Sequence, residues 1–157
     1  MSDFDDQDDR RAPQLQRTGT RLALAGYVPF AVLAVWLYSI PADHPWRPDT
    51  ILLLKTYGAV ILSFLGGIRF GIAVAADEGE QRGALTLSIV PALAGWAALW
   101  ISEPYAFALL AVAFAAHGAW DSIAAHSGAA PAWFGRMRSW LTILVVIAMV
   151  LAFLATA

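Results

Sequence analysis

The sequence predicts an all-α integral membrane bundle of five transmembrane helices with a cytoplasmic N-terminus. Three observations carry that reading. Hydrophobic residues make up 59% of the 157 and charged residues only 14%, against roughly 45–50% and about 25% in soluble domains. Too little charge is present to coat a globular surface. The apolar residues fall into five runs, each near the ~20 residues a helix needs to cross a ~30 Å hydrocarbon core. Finally, Lys and Arg are distributed unequally between alternate connecting segments, as the positive-inside rule requires.

The first 17 residues are rich in Asp and Arg and read as a disordered tail. Their acidity, and the lack of a small-residue cleavage site, argue against a targeting peptide. The spans then run about Leu22–Ile40, Ile51–Ala76, Ala84–Ile101, Tyr105–Ala125 and Ser139–Ala157. Lipid offers backbone groups no partners, so helices are the expected form. Pro41, Pro45 and Pro48 follow the first span, and Asp49 or Thr50 can cap the second. Asp77–Glu80 ends the second span, and Glu103-Pro104 opens the fourth with proline near its first turn. Residues 126–138 form the longest internal loop. Pro29 and Pro91 fall inside the first and third spans, where kinks are expected.

With the N-terminus inside, the inner segments carry Arg10, Arg11, Arg17, Arg21, Arg82, Arg136 and Arg138, and the outer ones Arg47 and Lys55. Seven against two places the N-terminus in the cytoplasm and the C-terminus outside. Trp36, Tyr38, Trp100 and Tyr105 suit the outer interface, Trp133 and Trp140 the inner. Trp133, Arg136, Arg138 and Trp140 together read as an interfacial anchor on anionic headgroups. A net charge of −2 argues against nucleic acid as a partner. The absence of cysteine removes disulfides, thiolate metal sites and cysteine nucleophiles.

Two features inside the spans call for an account. In the second span Ala59, Ser63, Gly67, Gly71 and Ala75 recur every four residues. Such a stripe lets helix backbones approach closely in lipid. Packing inside the bundle, against the small-rich fourth span (Ala108, Ala111, Ala115, Ala119), is the expected use; docking of another membrane protein or a second copy is the functional one. Arg69 lies eight residues inside Asp77, about 12 Å at ~1.5 Å per residue. A charge at such depth usually pairs. His117 and Asp121 share a helix face four residues apart, at nine and five residues from His126, so Arg69 falls between them in depth. Lys55, near its helix end, is explained by snorkelling. The cluster Arg69, His117 and Asp121 reads as a structural ion pair with a neighbouring histidine, or as a site for a ligand or proton. His44 and His126 lie too near the ends to join His117 at a haem. His117 with Asp121 offers too few ligands for a metal. No nucleophile elbow or phosphate loop is present, so neither cofactor nor metal nor enzymatic activity is expected.

The segments YGAVILSFLGGIRFG (Tyr57–Gly71), SIVPALAGW (Ser88–Trp96) and PAWFGRMRSWLT (Pro131–Thr142) resemble the transmembrane protein 69-like family. That family consists of small bacterial and mitochondrial multi-pass proteins of unknown function. The resemblance runs from about Leu22 to the C-terminus. It implies a helical membrane bundle in a bacterial inner membrane and supplies no catalytic residues. Two functions are expected: a structural or assembly factor, or a binding or transport protein for a small anion, quinone-like molecule or proton. A cavity reaching Arg69 would favour the second, a closed dry bundle the first.

Overall fold

The computed structural model describes residues 3–75, 81–126 and 132–157. These form α1 (Asp3–Ser39), α2 (Arg47–Ala75), α3 (Gln81–Ser88), α4 (Val90–Trp100), α5 (Tyr105–His126) and α6 (Ala132–Thr156). Five stretches are long and apolar enough to cross a membrane: Gln16–Ser39, Arg47–Ala75, Gly83–Trp100, Tyr105–Ile123 and Gly135–Thr156. The chain is a multi-pass membrane protein.

Several boundaries differ from the sequence reading, α6 for one beginning at Ala132, inside the expected 126–138 loop. Helix α1 reaches back to Asp3, where a disordered tail over residues 1–17 was expected. A span that has already nucleated a helix propagates without a second nucleation cost, and acidic residues suit a helix start. The third span is divided. Pro91 has no N–H for the Leu87 carbonyl and crowds the preceding turn; α3 therefore ends at Ser88, and α4 begins at Val90 with proline in its first positions. Pro29, by contrast, is carried inside a continuous α1.

The spans form a closed ring. Helices α1, α2, α4, α5 and α6 each pack on the next, and α6 returns to α1. Helices α2 and α5 also meet across the middle. The core along this axis is built from Phe30, Leu37, Leu54, Leu62, Leu110, Phe114 and Met149. Outward-facing side chains are as apolar as the core: Leu22, Val32, Leu53, Phe64, Trp96, Val112 and Leu154 are all exposed. Only a lipid environment suits such a surface. Trp36, Tyr38, Trp100, Tyr105 and Trp140 are exposed near helix ends, as interfacial anchors are.

The small-residue stripe does not pack inside the bundle. Ala59 is buried, but Ser63, Gly67, Gly71 and Ala75 are exposed, and a Cβ added at Gly67 or Gly71 would meet nothing within 4 Å. Close approach runs one residue away, along Gly58, Ala59, Leu62, Leu65 and Gly66, because the four-residue repeat drifts around a 3.6-residue helix. The expected neighbour also changes: α2 packs most extensively on α4, not on the fourth span. A Cβ at Gly95 would lie 2.8 Å from the Ala59 Cα, so α4 touches α2 backbone to backbone. Gly66 faces the Ser88 carbonyl and Pro91, and seats the break between α3 and α4 on α2.

Candidate functional site

Asp121, on the α5 face turned to the middle of the ring, is 7% exposed and accepts from two arginines. Arg69 Nε donates to Asp121 Oδ1 at 2.7 Å, and Arg69 Nη2 lies 2.6 Å from the same oxygen. Arg138 Nε donates to Oδ2 at 2.7 Å. Charge-assisted contacts this short are the strong kind. His117, one turn deeper, is 4% exposed. Its Nε2 stands 3.6 Å from Asp121 Oδ2, too far for a hydrogen bond, and its Nδ1 is buried without a partner. The Arg69 guanidinium also lies over the Trp120 ring, 4.8 Å from its centre, and Trp120 meets the His117 ring edge to face. Nearby, Ser122 Oγ and Ser139 Oγ are 3.1 Å apart and tie α5 to α6.

The sequence-predicted trio Arg69, His117 and Asp121 is thus brought together. Arg138 is a correction: it was expected at the interface with Trp133, Arg136 and Trp140, and instead shares Asp121. The others are placed differently. Arg136 and Trp140 are exposed, whereas the Trp133 side chain lies outside the described residues. A signal for Arg138 was present. In an antiparallel α5–α6 pair, Asp121 lies five residues before His126 and Arg138 six after Ala132, so they have matching depth.

A cavity of about 360 Å³ reaches this cluster, within the roughly 300–1,000 Å³ of small-molecule pockets. Arg69, His117, Asp121 and Arg138 line its polar end; the remaining wall is apolar and comes from α1, α2 and α6. Its lining runs from Gly19 to Phe30 on α1 and from Ile61 to Ile72 on α2, about 16 Å along each axis at ~1.5 Å per residue. The far end is closed by Phe30, packed edge-on to Tyr57 and Phe114. Tyr57 donates its hydroxyl to the Gly26 carbonyl at 2.8 Å, fixing α1 against α2 there. The exposed lining side chains, Leu22, Phe64, Ile68 and Ile72, all belong to α1 and α2, so the mouth opens sideways between those helices.

Residues 15–154 match the family described as a protein of unknown function, DUF3429. The chain belongs to this family. Transmembrane protein 69 of the frog Xenopus tropicalis is 33% identical over 135 residues, covering 82% of this chain. The chain spans about half that relative's length, 51%. No solved structure matches.

At the opposite end of the bundle two cations have structural roles that sequence reasoning missed. Lys55 is 7% exposed and, rather than snorkelling, donates to the Ile101 carbonyl and to Glu103 Oε1, both at 2.8 Å. Arg47 donates to the carbonyls of Leu37 and Ile40 and to that of Ala155. It thereby caps the C-termini of α1 and α6, where carbonyls lack helical partners. Among the described residues, no three His, Cys, Asp or Glu side chains gather as a metal site would require.

Proposed function

We propose that this protein is a non-enzymatic membrane protein that binds a small, lipid-soluble molecule in the cavity between α1 and α2. The observation that carries the reading is the extension of an apolar, laterally open cavity to the buried Arg69–Asp121–Arg138 cluster. A bundle needing the cluster for packing alone has no use for 360 Å³ of space beside it. A bacterial inner membrane, with the N-terminus cytoplasmic, is the proposed setting; the excess of arginine in the inner segments supports it. Photolabelling with an apolar diazirine tests the reading. Label should concentrate on lining residues such as Ala23, Ile68 and Leu141, and Ala23→Trp, which fills the cavity, should abolish it. Label spread evenly over the lipid-facing surface, unchanged by Ala23→Trp, would refute the reading.

A structural or assembly role is the second reading. Ser63, Gly67, Gly71 and Ala75 face outward on α2, where small residues allow another helix to approach. Crosslinking from cysteines introduced beside Gly67 and Gly71 in native membranes would reveal such a partner or a second copy. Labelling by bulk lipid alone would remove this role.

A further inference from the structure

Lipid-soluble ligands differ in their polar ends, and the cluster constrains which end fits. Arg69 and Arg138 bring two positive charges to the cavity, and Asp121 returns one negative charge to both. With His117 uncharged the group carries an excess of one positive charge; with His117 protonated, two. Among the described residues no second carboxylate pairs with either arginine. A charge left uncompensated inside hydrocarbon is costly, and intramembrane arginines are normally neutralised. Each guanidinium has five N–H donors, more than the shared carboxylate can accept. His117 adds an imidazole whose buried Nδ1 has no partner, and buried polar atoms are almost always hydrogen-bonded. Excess positive charge, spare donors and an unpartnered imidazole call for an anion.

The rest of the cavity says what the anion is attached to. Beyond the cluster the wall is Leu22, Ala23, Phe30, Ile61, Leu65 and Leu141 with other apolar groups, and it offers nothing to a hydrated ion. Its polar end lies where α5 ends and α6 begins, with Asp121 about 8 Å inside His126 at ~1.5 Å per residue. Its apolar end runs towards the middle of the membrane, up to Phe30 and Ile61. A lipid of that leaflet has the same orientation, headgroup outward and chain inward. It could slide between α1 and α2 without turning over and without passing through water.

We infer that the cavity takes an amphiphile bearing an anionic headgroup, carboxylate or phosphate, on a hydrocarbon chain. The headgroup is held by Arg69 and Arg138, and the chain lies between α1, α2 and α6. This rests on the binding reading above and names the ligand class of that site.

The full chain in uncharged detergent tests the inference by native mass spectrometry. The probes are stearate and its methyl ester, a monoacyl phosphatidate and a monoacyl phosphatidylcholine, and inorganic phosphate alone as competitor. Stearate and the phosphatidate should bind at least about tenfold more tightly than the methyl ester and the phosphatidylcholine. One hydrogen bond to a charged group accounts for about ten- to a hundredfold. Arg138→Gln should reduce that preference to about twofold or less and preserve helicity; Arg138→Lys should retain most of the preference. If Arg138→Gln fails to accumulate, the comparison of stearate with its methyl ester on the unaltered protein decides. Equal binding of those two would overturn the anionic class while leaving a binding cavity. Phosphate displacing stearate at equal concentration would also overturn it, identifying a free-anion site. No binding by any probe would overturn both the inference and the reading beneath it.

Discussion

Removing Asp121 should be far worse than removing either arginine, because the cluster is a triad and not a pair. Stranding one buried partner of an ion pair costs about 3–5 kcal/mol. Asp121→Leu strands Arg69 and Arg138 together, both within 2.7 Å of the lost carboxylate. The excess charge rises from one to two, and the loss should exceed about 5 kcal/mol, much of the ~5–15 kcal/mol that holds a typical protein together. Arg69→Met leaves Asp121 matched by Arg138. It forfeits about one hydrogen bond to a charged group, ~1.5–3 kcal/mol, together with the Trp120 contact, and it removes the excess charge. The double change Arg69→Met with Asp121→Leu should recover only part of the loss, since Arg138 stays stranded. Adding Arg138→Met should recover most of the remainder. Steric trapping in bicelles, or thermal unfolding in one detergent, measures the series. If Asp121→Leu is no more damaging than Arg138→Met, or if the double variant already recovers fully, Arg138 is no part of the cluster and the triad argument fails.

Further outcomes follow from the packing and the chain ends. Gly67→Leu should leave thermal stability within about 0.5 kcal/mol, as surface changes do, whereas Gly95→Leu should prevent accumulation by driving α4 off Ala59; equal effects would refute the assigned faces. Burial raises the Glu103 carboxyl, but hydrogen bonds from Lys55 and its own backbone, with the Lys55 charge, outweigh it and hold the group below its ordinary 4.5. The stabilisation is therefore complete above pH 4.5 and is lost as pH falls through the lower folded value. Unfolding curves of wild type and Glu103→Gln should converge below that range, and a constant gap down to acid would show that the pair does not couple to folding. A reporter active only outside the membrane should work after Ala157 and fail at Gly79, and the reverse pattern would invert the proposed orientation.

Legibility in the sequence followed the range of the signal. Span number and class rest on local composition, which lipid as solvent dictates directly, and they agree with the helices found. Arg69, Asp121 and His117 were readable because depth is a linear coordinate: residues counted from a common boundary meet if their helices are neighbours. Arg138 obeyed the same count but was hidden by its company, since Trp133, Arg136 and Trp140 made it look interfacial. The stripe failed for a geometric reason. A strict four-residue step drifts by about 40° per repeat on a helix of 3.6 residues per turn, so Ala59 can be buried while Gly67 and Gly71 turn outward. Lys55 was misread and Arg47 passed over because their partners, Ile101, Glu103, Leu37 and Ala155, are carbonyls and loop groups. Hydropathy carries no trace of a carbonyl. The cavity needs the relative placement of α1, α2 and α6, which no single segment encodes.

The two ends of the bundle handle charge differently. At one end Lys55 meets Glu103 one to one and completes its bonding on the Ile101 carbonyl. Arg47 there is spent on three helix-terminal carbonyls. Lys55 is matched by a carboxylate and the Arg47 donors are taken up by carbonyls, and removing either would only loosen the ends they tie. At the other end two guanidiniums share one carboxylate, beside an imidazole with an unpartnered nitrogen. A glutamine or methionine at position 138 would have left a balanced Arg69–Asp121 pair at lower desolvation cost. The imbalance sits at the one end of the lateral cavity where a lipid headgroup would lie, and packing alone gives no reason for it. A ligand of opposite charge does, which makes Arg138 the residue whose loss should separate stability from binding.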